Sequence, residues 1–138
     1  MRTIKFRGKR VDNGEWVYGY VYQVESVDCW FMDQGNTVSH RVKPETVGQF
    51  TGKIIYDEYC NDDGEVIRTQ QEVFEHDIIC YLREKGGVGY GVVEYDEECC
   101  EFRIYDNKEH YIESLGNVFL IALVGNIHDN PELLGGGE

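Results

Sequence analysis

The chain has 138 residues, 41% hydrophobic and 13% aromatic, which provides for a packed core and argues against disorder. Its 26 acidic and 13 basic residues leave a formal charge of −13, so Coulomb repulsion opposes DNA, RNA and anionic membranes, and direct nucleic-acid binding is not expected. No apolar run reaches the roughly 18 residues of a membrane helix, MRTIKFRGKR lacks the apolar stretch of a secretion signal, and five cysteines without a CxxC pair read as free thiols in a reducing cytosol.

RTIKFRGKR alternates, with Ile4 and Phe6 on one face and Lys5 and Arg7 on the other, the pattern of a half-buried strand. Asn13-Gly14 marks a tight turn, because both residues tolerate positive φ. EWVYGYVYQV (15–24) alternates again, placing Trp16, Tyr18, Tyr20 and Tyr22 on one face and Val17, Gly19 and Val21 on the other. These runs predict a hairpin of 2–8 with 15–23. DCWFMD and TVSHRV flank QGN and suggest a second hairpin. KPETVGQFTG (43–52) reads as one helical turn, opened by Pro44 with Glu45 near its positive end and limited by Gly48 and Gly52. A short strand, KIIY, follows. Residues 57–72 are polar and acidic around an NDDG turn, and read as a mobile loop between subdomains.

HDIICYLRE (76–84) predicts a strand with Ile78, Cys80 and Leu82 on one face. GVGYGVVEYD (87–96) and CEFRIYD (100–106) predict the next pair. NVFLIALVGNI (117–127) is apolar on both faces, as a central strand or one covered on both sides would be. PELL allows one helical turn before the tail frays. Short strands, glycine turns and no long helical period imply a mainly β fold, a small antiparallel barrel-like architecture with short helical turns. The segment 74–127 has the strand, long connection, hairpin and strand of an SH3-like barrel, a fold-level analogy. The expected organisation is an N-terminal β-hairpin subdomain at 1–56, an acidic loop or linker at 57–73 and a C-terminal SH3-like β-barrel subdomain at 74–138.

Chemistry is sparse. In YDEECCEF (95–102), a hairpin tip places Cys100 inward with Phe102 and Ile104, and Cys99 outward with Glu101 and Arg103. Adjacent strand residues point to opposite faces, so Cys99 and Cys100 do not chelate a metal together. GGVGYG (86–91) lacks the Lys-Ser/Thr of a phosphate loop and precedes strand-like residues, so its glycines bend a β-ribbon. His76-Asp77 and His128-Asp129 are the His-Asp neighbours, in no catalytic motif; Asp77 fits a turn cap before a strand. No catalytic residue, metal or cofactor is expected. The ladder Trp16, Tyr18, Tyr20, Tyr22 is the candidate binding site. It either walls the hairpin core, the favoured reading, or stacks bases, sugars or a peptide. The basic start (Arg2, Lys5, Arg7, Lys9, Arg10) either contacts an acidic partner or nucleic acid, or pairs with acids of the same chain, as favoured here.

IKFRGKRVDNGEWVYG, VKPETVGQFTG, FEHDIICYL with GVVEYDEECCEFRI, and VGNIHDNPELL resemble, in order, the conserved stretches of the YopX family of phage and prophage proteins. The family pattern has E-G-D-I where this chain has Glu75-His76-Asp77-Ile78, which puts the turn before that strand in question, and the loop near 57–72 is longer than usual. The resemblance implies a phage-encoded, mainly β intracellular protein, with no catalytic residues to carry over. Asn126, Asn130 and Pro131 are expected to shape the exit from the last strand, and Leu133-Leu134 to cover the barrel's open end. The leading expectation is a non-enzymatic accessory protein of the bacterial cytoplasm that binds a host or phage macromolecule. One alternative is an acidic, DNA-mimicking inhibitor of a basic host protein. The other is a small-ligand or nucleic-acid module using the aromatic strand face. Edges of short strands leave homo-oligomers open.

Overall fold

The computed structural model describes residues 3–25, 29–35 and 38–135, with the side chains of 134 and 135 excepted. Arg2, the Asn36-Thr37 end of the second hairpin loop, the Leu134 side chain and the 136–138 tail therefore lie outside the described residues. The fold is mainly β, with two antiparallel sheets, one curled into a half-barrel. The chain divides into two compact units, Met1–Gly52 and Lys53–Glu138.

The first unit holds β1 (Phe6–Lys9), β2 (Trp16–Val24), β3 (Cys29–Asp33), β4 (Ser39–Val42) and the start of β5 (Gly48–Cys60). β1 pairs with β2 from Phe6↔Gly19 to Lys9↔Trp16, and with β5 at Phe6↔Gln49 and Arg7↔Gly48. From Tyr20 onward β2 leaves β1 and pairs with β3, which pairs in turn with β4. The end of β4 returns to the chain just past β1, through an Arg10↔Val42 bridge and the 2.9 Å bonds Val11 N–H to Arg41 O and Lys43 N–H to Lys9 O. The core so enclosed is Val17, Met32 and Val42, with Phe6, Val21, Trp30 and Val47 packed against it.

The 3-10 turn Pro44–Thr46 lies where the sequence places a helical turn. Thr46 is buried; its hydroxyl donates to Lys43 O at 2.7 Å and accepts the Lys9 N–H at 2.9 Å. The PETVG stretch thus ties β1 to the entry of β5.

The second unit holds the rest of β5, β6 (Val66–Phe74), β7 (Asp77–Leu82), β8 (Val88–Asp96), β9 (Glu101–Tyr105), β10 (Tyr111–Ser114), a 3-10 turn at Leu115–Asn117, β11 (Leu120–Asn126) and α1 (Glu132–Gly135). Five strands run in the order β10-β9-β8-β7-β11. β7 lies inside the sheet, between β8 and the edge strand β11, and its residues 77–81 are all buried. Ile55, Val73, Ile79, Tyr81, Val93, Ile104 and Leu115 form the core. Each aliphatic side chain buried there contributes roughly 1.5–3 kcal/mol.

Four expectations are corrected. Residues 57–72 are the arms of the β5–β6 hairpin, not a loop, and NDDG is its tip, with Gly64 N–H bonded to Asn61 O at 3.0 Å. Both arms carry exposed residues on both faces, so no apolar alternation marks them. β11 is an edge strand with Ile121 and Val124 exposed, not a central one covered on both sides. Cys100 is exposed: residues 97–100 are all turn, Cys100 closes it at φ 55, and the strand resumes only at Glu101. The tip of the β8–β9 hairpin is where the sequence places it. Finally, the Trp16–Tyr22 face does not wall the core of the first hairpin; the Val17 and Val21 face does.

Candidate functional site

Tyr18, Tyr20 and Tyr22 are 45%, 62% and 44% exposed on the outer face of β2. Burying Val17 and Val21 against Met32 and Trp30 forces their alternate neighbours outward, because strand side chains alternate. Register places Arg7 across from Tyr18, Lys9 from Trp16, Asp33 from Tyr20, and Phe31 and then Arg41 beside Tyr22. The Tyr22 and Phe31 rings stack at 5.5 Å and 16°. Trp16 is half-buried beneath two cations, Arg7 at 4.6 Å and Lys9 at 5.4 Å from its ring; Lys5 lies 5.6 Å from the Phe50 ring. Lys5, Arg7 and Lys9 of the basic start therefore sit over aromatic rings, while the Arg10 guanidinium forms a two-point pair with Asp12. Of the four ladder residues, the three tyrosines share an open face and Trp16 lies under its cations.

A second constellation joins the two His-Asp neighbours. His128 Nε2 and His76 Nδ1 are 3.0 Å apart, at hydrogen-bond distance, with the rings edge-on at 82°. His76 Nε2 lies 3.9 Å from Glu94 Oε2. Its backbone is fixed on both sides, donating to Val93 O at 2.7 Å and accepting Ile127 N–H at 3.0 Å. Beside it is a cleft of about 390 Å³ lined by Val92, Glu94, Tyr105, Asp106, Asn107, Glu109 and Ile127. Asp77 is buried and accepts the Phe74 N–H at 2.7 Å, the turn cap expected of it. The histidines lie 52 positions apart in the chain, so neighbour patterns do not reveal the pair. Among the described residues, no group of three or more His, Cys, Asp or Glu side chains is placed to hold a metal ion.

The acids of the β8–β9 tip are tied down too. Arg103 donates to Glu101 at 2.6 Å and to Asp96 at 3.4 Å, and stacks over Tyr111 at 4.2 Å. The Cys99 N–H and the Tyr105 hydroxyl hold Asp96 below the usual carboxylate range; Arg103 and the Ser114 hydroxyl do the same for Glu101.

Comparison with known protein families matches residues 5–135 to YopX protein. The chain belongs to the YopX family. No curated protein and no solved structure matches it. Membership suggests a phage-type protein.

The structure explains the stretches that carry the YopX resemblance. His76 stands where the family pattern has glycine, and it adopts φ 77, so the turn survives with a side chain in the left-handed region. In GNIHDN, the Asn126 side-chain oxygen accepts the N–H of His128 and of Asp129, at 3.0 and 2.9 Å. Its amide donates to Asp129 at 3.1 Å. Asn130 Oδ1 accepts Asn126 N–H at 3.2 Å, and Asn130 N–H donates to Asn126 O at 2.8 Å. Gly125 makes this possible: a Cβ there would lie 2.4 Å from Asn130 Oδ1. Asn126 and Asn130 do shape the strand exit, by bonding to each other.

Charge is segregated along this YopX chain. Residues 1–52 carry seven Lys or Arg and six Asp or Glu, a net of +1. Residues 53–138 carry six and twenty, a net of −14. Burial, with the neighbouring charges of Glu75 and Glu109, pushes the Glu94 carboxyl up to about 7. A carboxyl raised in the folded state stabilises most below its unfolded value, and the contribution is lost as pH rises through the folded value. Stability from Glu94 therefore falls between about pH 5 and 8. Glu94 is 41% exposed. Solvent screening thus limits the effect to about 1 kcal/mol. Glu94→Gln is expected to flatten this share. Urea midpoints at pH 6 and 8 check it: the variant should gain on the wild type only at the higher pH.

Proposed function

We propose that this YopX chain acts by binding a host or phage macromolecule, without catalysis, and that the outer tyrosine face of β2 makes the contact. The observation that carries the reading is three tyrosines on one strand face that leave a core already filled by Val17, Met32 and Val42. Large amphipathic rings held at the surface are the side chains most enriched where proteins meet partners. Lys9, partly exposed, and Arg41, exposed, flank the face in register. The histidine contact joins the β6–β7 turn to the strand exit.

The test is capture from bacterial lysate with immobilised wild type and with a Tyr20→Ala/Tyr22→Ala variant. The double variant should fold normally, since exposed substitutions usually move stability by less than about 0.5 kcal/mol each. It should lose the captured species. Undiminished capture would refute the assignment of the face.

The charge of the second unit favours a second reading, an acidic inhibitor that occupies the nucleic-acid site of a basic protein. That reading requires a basic partner held at low salt and released at high salt, with the tyrosines irrelevant.

A further inference from the structure

We infer that the occupant of the tyrosine face is a single-stranded nucleic acid, a proposal that rests on the binding reading above and names its ligand. Three observations converge on it. First, Tyr18, Tyr20 and Tyr22 recur at every second residue of one strand, about 6.8 Å apart. That is close to the reach of one extended nucleotide, so successive rings can take successive bases. Every base has a π-face, and stacking on exposed rings needs no sequence. Second, the end of the ladder is braced. Phe31 stacks on Tyr22, and Arg41 follows Phe31 across the sheet, so a ring platform ends beside an exposed cation. At the other end Lys9, partly exposed, lies across from Trp16, while Arg7, across from Tyr18, is buried. Third, the one carboxylate in register with these rings, Asp33 opposite Tyr20, is engaged by the Gly35 N–H at 2.8 Å.

The overall charge of −13 opposes nucleic acid where it is spread evenly. It is not uniform: none of the twenty acids of the second unit lies on β1–β4. At physiological salt, charges act over about 8 Å, so within the first unit the charged side chains in register with the rings, Lys9, Asp33 and Arg41, act most strongly on them. The global charge still slows approach. The surface therefore suits weak, sequence-tolerant, salt-sensitive binding. A duplex is disfavoured, because its bases are stacked on one another and cannot lie on the tyrosines. An acidic peptide would satisfy the cations and leave the rings unused.

Fluorescence anisotropy decides between them, with the full chain titrated into labelled oligo(dT), oligo(U), a duplex of equal length and polyglutamate, in about 50 mM salt. At least one single strand should bind, and more tightly than either the duplex or polyglutamate. Tyr20→Ala should weaken it about tenfold, the usual loss for one stacked base. Arg41→Ala should lower the salt slope by about 0.7, one phosphate contact on a single strand. Failure of both single strands to bind, no effect of Tyr20→Ala, or equal binding of polyglutamate would overturn the proposal. If the oligonucleotides fail while lysate capture still depends on Tyr20 and Tyr22, the ligand class is wrong and the face is right. If both fail, the binding reading falls with it.

Discussion

Gly19→Ala should destabilise the first unit by about 3 kcal/mol or more, among the largest losses available to a single methyl group. Two causes act together. Gly19 sits at φ 152, where an L side chain is strained. A Cβ there would also lie 2.0 Å from the carbonyl oxygen of Asp33 and 2.9 Å from its carbon. Those are backbone atoms of the neighbouring strand, so no rotamer change relieves the contact. Gly19 is also the point where β2 turns from β1 to β3, with Phe6 opposite Gly19 and Asp33 opposite Tyr20. Relaxation would part the β2–β3 pairing that holds the tyrosines outward. Both tryptophans, Trp16 and Trp30, belong to this unit, so tryptophan fluorescence during urea or thermal unfolding reports on it alone. A drop in the midpoint of more than about 10 °C is expected for a unit of this size. An unchanged midpoint would mean that β2 does not make this turn.

Asn126→Ala should cost about 3 kcal/mol in the second unit. Asn126 is buried, accepts two backbone N–H groups and donates to Asp129. Removing it strips partners from donors in a half-buried turn, and each such donor costs about 1–3 kcal/mol. The loss stays at the lower end because some of these groups can reach water. The turn also positions His128 against His76, so the variant should free the tail from the β6–β7 turn. Hydrogen exchange checks this directly: amides of 126–130 and of Ile127, bonded to His76 O, should exchange faster while those of Ile79 and Val93 remain slow. Protection unchanged at 126–130 would show that the side chain is not what holds the turn.

Much of the fold is legible in the residues. Alternation in 15–24 correctly separates Trp16, Tyr18, Tyr20 and Tyr22 from Val17, Gly19 and Val21. It cannot say which face is inside. Apolar area favours the rings, yet they are amphipathic, and the matching surfaces of β3 and β4 offer Met32 and Val42 to the valines. The 57–72 stretch misleads for a related reason: a ribbon exposed on both faces has no buried periodicity, although its NDDG turn is plain. The Cys100 error concerns where the strand begins. The expected phase holds for Phe102 and Ile104, which do face the core, but Cys100 closes the four-residue tip at φ 55 and so falls outside the strand's alternation.

The candidate site was legible as a list and not as a surface. Tyr18, Tyr20 and Tyr22 stand out in the sequence, but their exposure depends on how four strands close around Val17. The segregation of charge was present in the residues all along. It becomes visible only once the chain is divided at Gly52. The histidine pair could not be foreseen, because it depends on β11 lying beside β7.

The most direct check on the account is the lysate comparison between the wild type and Tyr20→Ala/Tyr22→Ala, run after both proteins show the same tryptophan unfolding midpoint. The account expects the captured partner to vanish from the variant while the fold is unchanged. A partner retained in full by the variant would contradict it, and would move the function away from this face.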